Sequence, residues 1–343
     1  MNHRLSSYFF ILYLLFYPLP SDAGLSEHLI SGQTMGTKYH IKIVLKDKQG
    51  LSGLEAKIER RLEEINKSMS TFLKESEISR FNALEKAGEK FPISEDFFRV
   101  MTTAGTVFRL TEGAWDGTVK PLVDLWGFGA SGKRTTIPEK SEIEKLHKRI
   151  GFQSIRLFEN RHLAKTDPFV TLDLASIAKG YAVDSVSELI RKNGFQHFLV
   201  EIGGEVYASG NKPDGSPWRV GINRPDPLAP HDQVHKIVFL RDMALATSGD
   251  YRNFFEIGQT RYSHVLDPKT GWPVANGVIS ASVLAKDCTF ADGLATALMV
   301  MGHEKGIELT NRLEHVESLF ILKEGNGPFI ERFSNGFDKT TSR

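Results

Sequence analysis

Hydrophobic and polar positions change period several times along this chain, and each change marks an element. Residues 39–45 alternate apolar and polar with period two, the signature of a half-buried strand entered through Met35-Gly-Thr37. Leu54, Ile58, Leu62, Ile65 and Met69 then recur at helical spacing behind a Ser52/Glu55 capping box. Met69-Ser-Thr-Phe72 closes that helix. Helical spacing returns over 97–110 and over 138–150, the latter opened by Pro138 and stopped by Gly151. Residues 169–174 read as a strand, and 176–192 as a helix ended by Gly194. A short buried strand over 198–202 leads through Gly203-Gly204 into another through Tyr207. Further strands are expected over 218–222, 234–240 and 279–284, several of them antiparallel, with a three-proline loop over 223–231. No repeat, low-complexity tract or evident linker interrupts this order. The pattern therefore favours one α+β domain with mixed sheets over two separable domains.

Composition narrows the class. Of 343 residues, 41% are hydrophobic and 25% charged, ordinary values for a globular protein. The net charge of +1, without a long basic block, gives no reason to expect capture of nucleic acid. Cys288 is the only cysteine, which excludes an intramolecular disulfide and a multi-cysteine metal site. At the N-terminus, His3 and Arg4 precede an apolar run over 8–17, then Pro18, Pro20 and Ser21-Asp-Ala23. That order predicts a Sec signal peptide over 1–23, cut after Ala23, with an uncleaved anchor as the alternative. No cysteine lies near that site for a lipoprotein anchor, so residues 24–343 are expected to form a soluble, exported protein.

Chemistry concentrates where elements end. Asp292 and Thr296 stand four residues apart and share one face of a helix whose other face carries Leu294, Ala297, Leu298 and Met301. With Thr289 as a capping candidate, Asp292 falls in the first turn, where the helix dipole favours bound phosphate. Two oxygen ligands there suit a hard cation such as Mg²⁺ beside a phosphorylated ligand; an amphipathic helix with a satisfied Thr is the plain alternative. Met35 beside Gly36 suits either a flat ring against thioether and backbone or a strand entry with a buried Met. Asp116-Gly is a turn signal among Trp and Phe residues, which form core or an apolar slot. Residues 172–184 join strand to helix through small residues. Amides there can receive phosphate, a carbonyl near Ser176 can ligate a cation, and Lys179 can neutralise a diphosphate, although the spacing fits neither the dinucleotide fingerprint nor the P-loop. His264 precedes the turn Asp267-Pro-Lys-Thr-Gly271, where an imidazole serves either structure or general-base catalysis.

Together these segments resemble the ApbE family, the FAD:protein FMN transferases. The matching pieces are Thr34-Met-Gly-Thr37, Met69-Ser-Thr-Phe72, Asp116-Gly-Thr118 with Pro121-Leu-Val-Asp-Leu-Trp-Gly127, and Leu172-Asp-Leu174 with Lys179-Gly-Tyr-Ala182. Glu201-Ile-Gly-Gly204, Thr247-Ser-Gly-Asp-Tyr251, Ser263-His264 through Gly271, and Ala291-Asp292 to Thr296 complete the order. The resemblance implies a T-fold-like domain, exported to the periplasm or cell surface, that uses FAD as a substrate. It implies cleavage of the FAD pyrophosphate, attachment of FMN to a Ser or Thr hydroxyl of a target protein, and release of AMP. Implied targets are subunits of membrane redox complexes such as the sodium-pumping quinone reductase and Rnf, so membrane association would run only through the partner or an uncleaved signal. By matching position, Met35, Phe72, Asp116, Lys179 and Leu266 look like flavin-nucleotide contacts. Ser176 (by its carbonyl), Asp292 and Thr296 look like Mg²⁺ ligands, and His264 looks like the base for the acceptor hydroxyl. Ala295 departs from members that carry a second Asp before the metal-binding Thr. An FAD pyrophosphatase using water as acceptor and a non-enzymatic flavin-binding protein are the alternatives.

Overall fold

The computed structural model describes residues 24–340 apart from 47–50, 130–135, 231–232, 252, 259, 324 and 326, so the expected signal peptide lies outside the described residues. The chain opens with β1 (Ser26–Thr34), β2 (Thr37–Leu45), α1 (Leu54–Met69), α2 (Glu77–Asn82), β3 (Phe91–Pro92), α3 (Glu95–Leu110), α4 (Lys120–Leu125) and α5 (Lys140–His147). It continues through β4 (Ile155–Phe158), β5 (His162–Lys165), α6 (Ala175–Lys192), β6 (Phe198–Ile202), β7 (Glu205–Ser209), β8 (Trp218–Asn223), β9 (Val234–Leu240) and β10 (Met243–Gly249). Last come β11 (Phe254–Ile257), β12 (Thr260–Ser263), β13 (Val278–Ala285), α7 (Cys288–Met301), α8 (His303–Thr310), β14 (Glu317–Leu322) and β15 (Ile330–Phe333).

Eight strands form one sheet in the order β1-β2-β6-β7-β10-β13-β14-β15, antiparallel at every step among the described residues. Period-two alternation sorts its side chains onto two faces. On β10, Ala244 and Ala246 join the main core with the helices, whereas Leu245 joins a second cluster beneath the β8–β9 hairpin. A third cluster joins Leu122 of α4 and Trp126 just after it to Ile143, Phe255 and Leu266. The single α+β domain read from the pattern is the fold observed. No helix among the described residues is long and apolar enough to cross a membrane.

Three local expectations change. Residues 169–174 form no strand, because Asn82 clamps both backbone groups of Leu172 (2.7 and 2.8 Å) and Gly117 O accepts from Asp173 N at 2.7 Å. A ladder is unnecessary once those groups are paired. At the start of α1, Gly53 rather than Ser52 occupies the cap, in a left-handed conformation without a side-chain bond. At α7 the cap is Asp287, which accepts from Phe290 N at 2.8 Å, while Thr289 N and Oγ1 donate to Asp184. Asp292 therefore sits in the second turn, and both faces of α7 are buried. A helix apolar nearly all round belongs in a core.

Candidate functional site

Helices α6 and α7 pack closely enough that Gly180 leaves no room for a side chain. A Cβ there would lie 2.2 Å from Cys288 O and 2.8 Å from Asp292 Cβ. This close approach lets Gly180 N donate to Asp292 Oδ2 at 2.9 Å. In a regular helix that amide serves the carbonyl four residues back, here Ser176. Thr296 Oγ1 meets Ser248 Oγ of β10 at 2.9 Å, and Trp115 Nε1 donates to Ser176 Oγ at 3.0 Å.

Above this crossing opens a cavity of about 400 Å³ whose lining includes seven of the nine site residues expected from sequence: Asp116, Ser176, Lys179, His264, Leu266, Asp292 and Thr296. The other two, Met35 and Phe72, line an adjoining groove of about 610 Å³, and Asp173, Ala175 and Lys179 belong to both walls. Met35 and Gly36 form the two-residue turn between β1 and β2, both with positive φ (51° and 73°). That is the backbone of a twisted hairpin turn, with Met35 in a conformation non-glycine residues seldom adopt. Phe72 is 87% exposed and free to cover a ring.

Charge inside the cavity is concentrated and unbalanced. Lys179 Nζ lies 2.6 Å from Glu205 Oε2, a carboxylate at the start of β7 with a side chain only 3% exposed. Burial pushes Glu205 up to about 8 against the pull of Lys179, and burial likewise raises Asp292. Burial opposes the Lys179 charge too, yet Asp292 and Glu205 together hold it above the ordinary lysine value. One ammonium faces two buried carboxylates. Burial disfavours the ionised form of both carboxyls, and further positive charge beside them would favour it.

Mg²⁺ is one source of such charge. Hard oxygens that could hold it line the cavity at Asp292, Thr296 and Ser176. Among the described residues no group of three or more His, Cys, Asp or Glu is placed to hold a metal. A site with one carboxylate, completed by substrate phosphate and water, is the form Mg²⁺ accepts. Ala295 is fully buried in the main core and absent from the cavity lining, so the departure noted in sequence removes no group from the wall.

His264 reaches the cavity from the loop directly after β12. Its Nδ1 lies 3.1 Å from Asn253 O, and its ring meets Phe128 edge-on at 6.3 Å. Burial lowers its pKa, with the Asn253 contact opposing. A neutral ring with Nδ1–H donated to that carbonyl, the tautomer inferred from this bond, keeps Nε2 as a base. Leu266 is buried beside it, bridged to Pro273, and the Asp267 turn closes through Gly271 N→Asp267 O at 2.8 Å. Asp116 lines the wall, but Oδ1 accepts from Thr118 N and Oγ1 and Oδ2 from Phe152 N, so its carboxylate chiefly holds the loop. Glu205 and Ser248 were not singled out from sequence. The available signal for Glu205 was one acid opening the otherwise apolar β7 directly after Gly203-Gly204.

An ammonium, buried carboxyls and an imidazole around one cavity are groups able to bind a phosphorylated ligand and move a proton. The ApbE family model matches residues 35–320. The chain is 41% identical over 317 residues to the FAD:protein FMN transferase of Vibrio cholerae (92% of each chain) and 38% identical to that of Haemophilus influenzae (91% of each). The solved flavin transferase ApbE from Vibrio cholerae superposes with TM-score 0.82 at 40% identity, covering 92% of this chain and 99% of that one. Pseudomonas stutzeri flavinyl transferase ApbE superposes equally well, with TM-score 0.82 at 38% identity over 93% of this chain and 98% of its own. The chain belongs to the ApbE family.

Proposed function

We propose that this ApbE-family enzyme moves FMN from FAD to a Ser or Thr hydroxyl of an acceptor protein through a phosphoester bond, releasing AMP, with Mg²⁺ as cofactor. The observation that carries the reading is the convergence on one cavity of Lys179, Asp292, Thr296 and His264, drawn from helices and a loop far apart in sequence. The groove at Met35 and Phe72 takes a planar ring, and Lys179 at the shared wall takes phosphate charge. Mg²⁺, when bound by Ser176, Asp292 and Thr296, supplies charge neutralisation on the phosphates. The acceptor oxygen forms a bond to the FMN phosphorus while the bond from that phosphorus to the bridging oxygen breaks, and AMP leaves with that oxygen. The hydroxyl proton passes to His264 Nε2, which answers the weak nucleophilicity of an unassisted hydroxyl. Lys179 balances charge as it builds on the departing phosphate.

Residues 1–23 act as an export signal in this reading, placing the enzyme in the periplasm, where subunits of Nqr- and Rnf-type redox complexes are its acceptors. The reading is tested by incubating the protein with FAD, Mg²⁺ and a candidate acceptor domain. An acceptor mass increase equal to FMN less water, with equimolar AMP, is the expected result. AMP and free FMN without adduct would instead assign an FAD pyrophosphatase, and no turnover would leave a flavin-binding protein.

A further inference from the structure

Lys179 is shared between two carboxylates with different duties. Asp292 faces the cavity on α7, fixed by Gly180 N, one residue along from Lys179 itself. Glu205 lies on the sheet, at the start of β7, and takes the ammonium at 2.6 Å. A Cβ at Gly203 would meet Lys179 Cδ at 3.3 Å, so the turn before β7 passes close to the lysine stem. Lys179 lines the cavity with its side chain 30% exposed, whereas Glu205 is nearly sealed. Without Glu205, the nearest uncompensated negative charge for this ammonium is Asp292. An ammonium and a divalent cation cannot both occupy the same carboxylate lone pairs without strong repulsion.

We propose that Glu205 is a positioning residue that draws Lys179 away from Asp292 and so keeps the Asp292 carboxylate available to the divalent cation. The inference rests on the Mg²⁺ reading above and assigns a role to a side chain outside the ligand set. Burial disfavours a charged Glu205, and the contact with the Lys179 ammonium is what opposes that, so the two groups hold each other in place.

The test is binding rather than turnover. FAD-binding isotherms are recorded by flavin fluorescence at stepped Mg²⁺ concentrations, on the full chain in a His264→Ala background so that transfer does not intervene. With Glu205 intact, FAD affinity should rise with Mg²⁺ to a plateau. Glu205→Gln should raise the half-saturating Mg²⁺ concentration about tenfold or more, the scale of one close charge contact. Adding Lys179→Met to Glu205→Gln removes the competing ammonium and should return that concentration to within about threefold of the parent, a coupling that a purely structural defect does not produce. Glu205→Asp keeps the buried charge with a shorter reach and should fall between. An unchanged half-point in both single Glu205 variants overturns the inference, as does a folded double variant that shows no recovery. A parent whose FAD affinity ignores Mg²⁺ removes the cation reading itself, an outcome distinct from either of these.

Discussion

The floor and the rim of the cavity are built on opposite principles. On the floor, Lys179, Asp292 and Thr296 stand on two helices in backbone contact, and Asp292 is 3% exposed. On the rim and in the adjoining groove, His264, Met35 and Phe72 sit on turns and loop ends, where in the proposed reaction acceptor and ring enter and leave. The contrast separates two demands. Charge stabilisation needs donors that do not reorganise, which rigid helices provide. Ring binding and acceptor access need surfaces that tolerate adjustment, which loops provide.

The sharpest way to break the floor is Gly180→Ala. Its methyl would strike backbone atoms of α7 that cannot move aside, so we expect a loss of about 3 kcal/mol or more, as for severe overpacking, read as a drop in urea midpoint. Asp116→Ala comes next. It strips partners from the Thr118 and Phe152 amides and should cost about 2 kcal/mol by the same measurement, with any effect on FAD binding following from loop disorder. At the rim, Phe72→Ala should leave the melting temperature unchanged, since the ring is exposed, and raise KM for FAD by about tenfold, the worth of one ring contact. A shifted melt with unchanged KM would erase the distinction between floor and rim. The smallest effect concerns pH. Burial lowers the His264 pKa below the ordinary 6.5, so the base form persists into mild acid. The acid limb of kcat/KM should therefore have its midpoint below 6.5 and should vanish in His264→Ala.

The same contrast explains what was legible in the sequence. Helical spacing located α1, α3 and α6, and alternation located β2, because each buries one periodic face. Periodicity misread residues 169–174, whose apolar run is held by Asn82 and Gly117 rather than a ladder, and long-range clamps leave no local pattern. The candidate residues were legible as motifs through the family resemblance. Their convergence was not, because it depends on long-range packing that brings α7 against both α6 and β10. Glu205 stayed hidden because a single acid at a strand start has no periodic signature. Its meaning arises only from the Lys179 ammonium across from it.

The central claim is that one cavity performs both charge stabilisation from the floor and proton transfer from the rim. It is tested most directly by the rate of flavin attachment to an acceptor, followed by in-gel flavin fluorescence and intact mass, for the parent chain, Asp292→Ala and His264→Ala. The account predicts loss of about 10²-fold or more in each variant, with unchanged melting and circular dichroism. Attachment at the parent rate by either folded variant would contradict it.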